Sequence, residues 1–444
     1  MPQNPVGNEA SFEMTIGASG GGDSINVIPQ DTPNTTPSSL SPKVDGIAAP
    51  DGANGYLDEA LTVFVIGASG DLAKKKTYPS LYDLYVNGFL PEKTVICGYA
   101  RSKKTDEEFR ARIGSALEKK GGTDADKEAF LKLCIYRNGA YDSPEAVGGV
   151  FEELKDLEAA SGRPRANRLF YFAIPPNVFV PIGKSLKEAV VGPQEDAGGD
   201  MGWSRLVIEK PFGKDSDSFE DLNGAMSALY SEDYLYRIDH YLGKEMVKNL
   251  LVLRFSNVIF EPLWNRDHVS SVTISFKEDF GTKGRGGYFD GYGIIRDILQ
   301  NHLLQVLSLV AMEPPVAVSG EGYANYVRNE KVNVLNCIEV AEMNNAVLGQ
   351  YMAAEDGSEV KYTDDPTVPD DSVTPTFAAI VLYINNPRWD GVPFILKVRS
   401  PRPYPPETRM TSCFLSALNV LQQGIKNSIF PTHCNLHFTP FRLV

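Results

Sequence analysis

The chain has 444 residues, of which 42% are hydrophobic and 23% are charged, so it can bury a large core and should divide into two domains. Its formal net charge of −14 argues against a nucleic-acid partner, because phosphate backbones are bound by clustered Lys and Arg. No membrane-length apolar segment or secretory signal is recognisable. Five scattered cysteines favour a reducing compartment, so we expect a soluble, cytoplasmic protein.

Residues 1–56 are rich in Pro, Gly, Ser, Thr and Asn and carry almost no aromatic residues. Such a composition buries too little apolar surface to offset the entropy lost on ordering, so we expect a disordered extension. The stretch IGASGGGD, at residues 16–23, resembles a phosphate-binding loop. It has neither a predicted strand before it nor a predicted helix after it, and we therefore do not assign it a function.

A strand pattern, LTVFVI at residues 61–66, is followed by GASGDLA and by an amphipathic helix pattern over residues 73–86, in which Leu81, Leu84 and Tyr85 should face inward. This order of strand, glycine turn and helix is typical of a dinucleotide-binding unit. Gly67 would permit the tight turn, and Gly70 would let the backbone approach a pyrophosphate at the positive end of the helix. The spacing departs from G-x-G-x-x-G, so the turn alone is a weak indicator.

The next predicted strand, residues 94–98, leads into Arg101. NAD enzymes commonly present a carboxylate here to the ribose 2′-hydroxyl, whereas an arginine can neutralise a 2′-phosphate, so Arg101 favours NADP. The alternative is that Arg101 only caps a strand at the surface. Strand and helix patterns then alternate through residues 131–136, 144–160, 168–173 and 178–189. This alternation predicts an α/β domain with a parallel, doubly wound sheet.

Another buried-type strand, residues 204–210, ends at Lys210, at the edge where open α/β sheets bind ligands. The alternative is a lysine that simply frays out of the strand end. A later strand pattern, residues 269–277, alternates like a half-buried strand and delivers Glu278 at its end.

The densest group of ionisable residues lies in YRIDHYLGKEMVKN, residues 236–249. His240, Tyr241 and Lys244 are donors to oxyanions and could together hold a phosphate dianion at a strand-to-helix junction. Asp239 could fix the tautomer of a catalytic imidazole and stabilise its charged form. The alternative is a solvated turn whose charges only cap the following helix.

A long apolar helix pattern begins at residue 292, and His302 falls beside its apolar stripe. A lone histidine in such a position is more often a satisfied core residue than a catalytic group. Further strand patterns lie near residues 347–352, 376–384 and 393–398.

DHYLGKE, with an arginine two residues before the aspartate, is similar to the signature of glucose-6-phosphate dehydrogenases. GASGDLAKKK, EKPFG, IIRDILQNHLLQ, DDPTVP and RWDGVPF also resemble that family, and the resemblance covers residues 57–398. It implies an NADP-binding Rossmann-like domain over residues 57–235. It also implies an α+β substrate domain with a large, mostly antiparallel sheet over residues 236–398.

The resemblance also implies an activity: oxidation of D-glucose 6-phosphate to 6-phospho-D-glucono-1,5-lactone with reduction of NADP+, the first step of the oxidative pentose phosphate pathway. It assigns His302 as the general base and Asp239 as its carboxylate partner. For the sugar phosphate it implies Lys210, His240, Tyr241, Lys244, Glu278 and Asp297. For the cofactor it implies Gly67, Ala68, Ser69, Gly70, Asp71, Leu72, Arg101 and Lys210. No metal is implied.

After residue 398 the resemblance ends. Where the family has a segment close to GKALNE, which supplies a lysine and an arginine to the substrate phosphate, this chain has RSPRPYPPETRMTSCF. Residues 399–444 hold five basic residues and one acidic residue, unlike the acidic remainder. We expect residues 393–398 to form an exposed edge strand. This terminus also argues against the dimer or tetramer that the family forms.

Two hypotheses follow from the sequence. The first is a working NADP-dependent glucose-6-phosphate dehydrogenase, which the catalytic residues favour. The second is a catalytically weak protein that binds NADP or joins an intact related subunit, which the divergent terminus favours.

Overall fold

The computed structural model describes residues 11–18, 25–27, 57, 59–117, 121–160, 167–192, 202–277, 282, 285–317, 323–353, 360–399 and 441–443. The chain divides into two compact units. We call Thr35–Ile238 the parallel-sheet unit, and Met1–Asn34 with Asp239–Val444 the mixed-sheet unit. The division lies three residues beyond the border expected from sequence, because the strand Leu235–Ile238 pairs with the sheet of the parallel-sheet unit.

The strands of the described residues, in chain order, are β1 (Ser11–Ala18), β2 (Ile25–Val27), β3 (Leu61–Ile66), β4 (Thr94–Ala100), β5 (Cys134–Asn138), β6 (Asn167–Phe172), β7 (Ser204–Glu209), β8 (Leu235–Ile238), β9 (Val269–Lys277), β10 (Ala346–Tyr351), β11 (Phe377–Leu382), β12 (Phe394–Arg399) and β13 (Phe441–Leu443). Their α-helices are α1 (Tyr78–Val86), α2 (Asp106–Leu117), α3 (Asp124–Leu133), α4 (Pro144–Ala160), α5 (Phe179–Leu186), α6 (Ser216–Ser227), α7 (Glu245–Phe255), α8 (Gly286–Ile294), α9 (Leu304–Ala311) and α10 (Tyr323–Asn336). A π-helical segment, Ile295–Leu303, joins α8 to α9.

The sheet of the parallel-sheet unit has the strand order β5-β4-β3-β6-β7-β8, and every neighbouring pair in it is parallel. This is the 3-2-1-4-5-6 order of a Rossmann fold, so the predicted doubly wound sheet is confirmed. Side chains of β3 alternate between two buried cores: Phe64 and Ile66 belong to one, and Val63 and Val65 belong to the other. Helices therefore cover both faces of the sheet, which explains why β3 is apolar throughout.

The sheet of the mixed-sheet unit has the strand order β13-β10-β11-β12-β9-β1-β2. Among the described strands of this sheet, only β12 and β9 pair in parallel, so the expected large, mostly antiparallel sheet is confirmed. Ile274 of β9 and Leu396 of β12 are fully buried, and they share one core with Leu303 and Val306. The sheet therefore supports the helical segment that carries His302.

Two expectations about strands are wrong. Residues 1–56 were expected to be disordered, but the described residues among them, 11–18 and 25–27, form β1 and β2, which pair antiparallel. The strand β1 also lies antiparallel to β9, with Met14 opposite Ile274. An average composition conceals the short apolar alternation in SFEMTI, which places Met14 in the core. Residues 393–398 were expected at an exposed edge, but β12 lies between β11 and β9 and has partners on both sides.

Helix geometry departs from the regular pattern at two points. The helix predicted over residues 73–86 begins with a π-helical turn, Ala73–Thr77. Leu81 and Tyr85 face the core as predicted, but Leu84 is 41% exposed. The inward face of α1 follows the helical spacing of Tyr78, Leu81, Tyr82 and Tyr85, and Leu84 lies beside it. In the second case, Gly293 has a φ of 70° and interrupts the backbone just before the long apolar helix. No helix within the described ranges combines the length and the hydropathy that a membrane crossing requires.

Candidate active site

The centre of the candidate site in the mixed-sheet unit is a hydrogen-bonded carboxylate and imidazole. Oδ1 of Asp239 lies 2.6 Å from Nδ1 of His302, and the two side chains are 10% and 1% exposed. The same Oδ1 accepts the backbone N–H of Tyr241 at 3.0 Å, because Asp239 is the N-cap of the short 3₁₀ helix His240–Gly243. A proton on Nδ1 that is held by a carboxylate leaves Nε2 as the basic atom of the imidazole.

Asp239 is electrostatically suited to support a charged imidazole. Burial opposes ionisation of this carboxyl group, but the hydrogen bond to His302, the charge of His302 and the N–H of Tyr241 outweigh it. The pKa of Asp239 is therefore lowered from its ordinary value. An ionised partner at this position stabilises the imidazolium that forms when His302 accepts a proton.

Two residues beside Asp239 in the chain hold the ring of His302. The ring of Tyr241 stacks on the imidazole with centroids 4.1 Å apart, and the ring of His240 meets it edge-on at 4.6 Å. The ammonium of Lys244 lies 4.3 Å from the centroid of Tyr241. The structure thus brings together five of the residues that the sequence analysis singled out.

Local folding explains why this turn is held firmly. Tyr241 is only 4% exposed and is anchored in the core, and α7 begins immediately after the turn, with Val247 and Leu250 buried. His302 lies in the π-helical segment Ile295–Leu303. Segments of π-helix are rare and occur frequently at functional sites.

The other predicted substrate residues are placed as follows. Asp297 lies on the same π-helical segment as His302 and is partly buried. Its separation of five residues from His302 corresponds to one π-helical hydrogen-bond step, so the two residues lie about one turn apart. Lys210 directly follows β7 at the carboxyl edge of the parallel sheet. Glu278 lies outside the described residues.

The glycine loop after β3 fits a dinucleotide. Gly67 has a φ of 84°, and a Cβ atom there would lie 2.2 Å from the carbonyl oxygen of Ala173, so only glycine fits. The N–H of Gly70 donates to the carbonyl of Gly67 at 2.8 Å, and helical structure begins at Asp71. Ala173 follows β6, so the loop lies at the reversal of strand order, where Rossmann folds bind the pyrophosphate at a helix N-terminus.

Arg112, in α2, contacts this loop and was not singled out from the sequence. Its Nη2 donates to the carbonyl of Ser69 at 2.9 Å and lies 3.6 Å from the carboxylate of Asp71. Asp71 also pairs with Lys75 at 3.0 Å, and Leu72 is partly exposed. The local pattern around Arg112 is an ordinary amphipathic helix, so no signal in the sequence identifies this contact.

Arg101 directly follows β4 and is exposed to solvent. Its guanidinium lies 5.5 Å from the ring centroid of Tyr141. An exposed arginine at the end of β4, the strand next to β3 and its glycine loop, can bind a phosphate group.

Tyr171 of β6 donates its hydroxyl to Glu209 of β7 at 2.5 Å. Both strands end at the carboxyl edge of the parallel sheet, and the sequence analysis singled out neither residue.

A Rossmann strand order, a glycine loop at its reversal point and a separate unit that contains a carboxylate–histidine pair are features of the class of dinucleotide-dependent dehydrogenases. Domain families described as "Glucose-6-phosphate dehydrogenase, NAD binding domain" and "Glucose-6-phosphate dehydrogenase, C-terminal domain" match residues 64–249 and 251–400. The chain belongs to the glucose-6-phosphate dehydrogenase family. In the part of the chain that the structure describes, no group of His, Cys, Asp and Glu could hold a metal ion.

Individual relatives agree with this assignment. The chain is 52% identical over 339 residues to a glucose-6-phosphate 1-dehydrogenase of Dictyostelium discoideum, covering 76% of this chain and 65% of the relative. It is also 52% identical over 346 residues to the cytoplasmic glucose-6-phosphate 1-dehydrogenase 5 of Arabidopsis thaliana, with 76% and 64% covered. The chain therefore spans just under two thirds of the length of these relatives.

Two solved structures are similar to this chain. One is a glucose-6-phosphate dehydrogenase in complex with its substrate glucose-6-phosphate, with a TM-score of 0.72 and 45% identity, covering 77% of this chain and 69% of that chain. The other is glucose-6-phosphate 1-dehydrogenase from Mycobacterium avium, with a TM-score of 0.65 and 34% identity, covering 77% and 70%.

Proposed function

We propose that this chain oxidises glucose 6-phosphate to 6-phosphogluconolactone and reduces NADP+ to NADPH. The observation that carries this proposal is the buried pair of Asp239 and His302, with 2.6 Å between their hydrogen-bonded atoms. The named activity of the curated relatives and the sugar phosphate in a solved relative support it. Nothing in the described ranges or in these comparisons favours the catalytically weak alternative.

The oxidation requires that a hydroxyl proton leaves oxygen while a hydride leaves carbon. NADP+ supplies the hydride acceptor when it is bound. His302 accepts the proton at Nε2, because its Nδ1 faces the carboxylate of Asp239. Asp239 remains ionised at neutral pH, as its lowered pKa requires, and stabilises the imidazolium. The stacked ring of Tyr241 limits rotation of the imidazole.

We assign sugar-phosphate binding to the turn that adjoins the base. His240, Tyr241 and Lys244 carry hydrogen-bond donors suited to a phosphate dianion, and all three lie within five residues of Asp239, in the 3₁₀ helix His240–Gly243 or at its C-cap. Binding energy from the phosphate would position the sugar for proton transfer to His302. Asp297, Glu278 and Lys210 stay predicted ligands of the substrate.

We assign cofactor binding to the glycine loop and to Arg101. Residues 67–72 would place the pyrophosphate at a helix N-terminus, and Arg101 would neutralise the 2′-phosphate that distinguishes NADP from NAD. Lys210, at the edge of the same sheet, stays a predicted cofactor ligand as well. The close contact between Gly67 and Ala173 supports the loop's role, because it leaves no room for a side chain.

The direct test is NADP reduction by the purified chain. Glucose 6-phosphate should give an increase in NADPH absorbance, whereas unphosphorylated glucose at the same concentration should give little. A chain that binds NADP and glucose 6-phosphate in calorimetry but produces no NADPH would contradict the proposed activity.

We also propose a cytoplasmic location, as the sequence predicts. Relatives include both cytoplasmic and chloroplastic forms. Cell fractionation followed by immunoblotting distinguishes the two, since a plastid form would sediment with a plastid marker.

A further inference from the structure

Arg254 is an arginine buried inside the mixed-sheet unit. It lies in the last turn of α7, is 1% exposed, and donates to the carbonyl oxygens of Leu309 at 2.9 Å and Met312 at 2.8 Å. These carbonyls lie at the end of α9, where helical carbonyl groups lack partners within the helix. Burying a charged group is costly unless it is hydrogen-bonded and paired. The two hydrogen bonds therefore make a specific connection between the ends of α7 and α9.

Acidic and aromatic groups hold the guanidinium of Arg254 in place. Its Nη2 lies 3.8 Å from the carboxylate of Glu261, which also accepts a hydrogen bond from Arg388 at 2.6 Å. The rings of Phe255 and Trp264 lie 4.6 Å and 5.5 Å from the guanidinium carbon. Burial, against the opposing charge of Glu261, lowers the pKa of Arg254 to about 10, so the side chain stays protonated at neutral pH.

The opposite end of α7 adjoins the candidate base. Asp239 and its turn precede α7 directly, whereas His302 precedes α9 directly. The two helices are thus connected twice: the Asp239–His302 hydrogen bond joins their starts, and Arg254 joins their ends. Leu309 is seven residues beyond His302, or roughly 10 Å along a helix. Because each connection joins like ends, the two helices run in the same direction, and Arg254 is in a position to set their register.

Two tryptophans contact the same end of α9 from other elements. Trp264 Nε1 donates to the carbonyl of Val310 at 2.7 Å, and Trp389 Nε1 donates to the carbonyl of Ala311 at 2.9 Å. Both are buried. Neither belongs to α7, but Trp264 also contacts Arg254, whereas the ring of Trp389 packs against Phe394 of β12.

We propose that Arg254 is a positioning residue for the Asp239–His302 pair, because it fixes the register of α9 against α7 and so holds the carboxylate within hydrogen-bond distance of the imidazole. The catalytic part of this proposal rests on the proposed role of His302 as the base. A shift of α9 along α7 would displace Nδ1 from Oδ1, and hydrogen bonds weaken steeply with distance and angle. Misplacement by about 1 Å can lower a rate by roughly a hundredfold.

The experiment compares Arg254→Met with Trp389→Phe in the full chain. Arg254→Met removes both donors and keeps an unbranched apolar stem, whereas Trp389→Phe removes one donor from the same helix end without altering α7. The first measurement is the ¹H NMR resonance of the His302 Nδ1 proton, which is far downfield when the proton is held between nitrogen and carboxylate; Asp239→Asn identifies it. The second set of measurements comprises kcat, the KM for glucose 6-phosphate and the Kd for NADP.

We expect Arg254→Met to lose the downfield resonance or shift it upfield, and to lower kcat by roughly ten- to a hundredfold. Its Kd for NADP should stay within about twofold of wild type, because the cofactor loop belongs to the other unit. Trp389→Phe should keep the resonance and most of kcat. Arg254→Lys, which keeps a charge and one donor group, should be intermediate.

The proposal would be overturned if Arg254→Met retained the resonance and kcat. It would also be overturned if Trp389→Phe lost both to the same extent, because Arg254 would then only stabilise the end of α9. If Arg254→Met does not fold, the proposal requires Arg254→Lys to fold with a shifted resonance and a lower kcat than Trp389→Phe. A wild-type chain without turnover would refute the proposed function alone, since the resonance reports the pair without activity.

Discussion

The candidate cofactor loop and the candidate base are built by opposite means. The loop is a contiguous stretch at the end of β3, and its shape depends on backbone conformation and on Gly67, where no side chain fits. The hydrogen-bonded pair of Asp239 and His302 joins two side chains that are 63 residues apart in the chain. It depends on the packing of α7, α9 and the sheet beneath them. A local site can be disrupted by one methyl group added within it, whereas a non-local site can also be disrupted by a substitution at a distant packing residue. The predictions below separate these two kinds of dependence.

The largest effect should follow from His302→Asn. Loss of the general base should lower kcat by roughly 10²- to 10⁴-fold, because proton removal is part of the transition state. The Kd values for glucose 6-phosphate and NADP, measured by calorimetry, should stay close to wild type. A variant with near-normal turnover would exclude His302 as the base.

Gly67→Ala should weaken cofactor binding and leave the Asp239–His302 pair intact, which is the converse of the result expected for His302→Asn. The added Cβ would approach the carbonyl oxygen of Ala173 to 2.2 Å, and the positive φ adds strain of roughly 1–3 kcal/mol. We expect weaker binding of both NADP and NAD, by more than tenfold, while the His302 Nδ1 resonance is unchanged. Gly88→Ala is the matched control, because Gly88 has a φ of 70° and open space around its Cα. Equal NADP binding by the two variants would contradict the requirement for glycine at position 67.

Arg101→Ala should narrow the effect to one cofactor. A charge-assisted hydrogen bond contributes roughly 1.5–3 kcal/mol, so the Kd for NADP should rise by about ten- to a hundredfold while the Kd for NAD changes little. Fluorescence titration with each cofactor measures the ratio. Equal losses for NADP and NAD would contradict the assignment of Arg101 to the 2′-phosphate.

The smallest effect concerns the pH dependence of the free energy of unfolding. The pKa of Asp239 is lowered in the folded chain, so the pair stabilises the fold fully above the ordinary aspartate pKa of about 3.9, and this stabilisation is lost as the pH falls through the lower folded value. Asp239→Asn should therefore have a shallower decrease in the free energy of unfolding over this acid range. Denaturant titrations at several pH values test this. Asp71→Asn is the exposed comparison and should change the pH dependence less, because solvent screens the ion pair with Lys75 that lowers the pKa of Asp71. Identical pH dependence in wild type and Asp239→Asn would mean that the pair does not contribute.

The sequence by itself determined the elements and the local site. Alternation of strand and helix patterns predicted the doubly wound sheet, and the order of strand, glycine turn and helix located Gly67 and Gly70, because these features depend on residues that are neighbours in the chain. The motif resemblance also nominated Asp239 and His302. Tertiary structure alone decided the contacts made by Arg112 and Arg254, which lie in ordinary helical patterns and act on distant backbone.

Strand pairing, like the contacts of Arg112 and Arg254, could not be predicted from the sequence. Residues 393–398 have the composition of any apolar strand, and only their register with β9 and β11 makes them interior. The strand β1 is concealed within a polar stretch until β9 supplies its partner. Periodicity specifies which face of a strand is buried, but partner and edge depend on segments far away in the chain, and these are decided when the whole sheet packs.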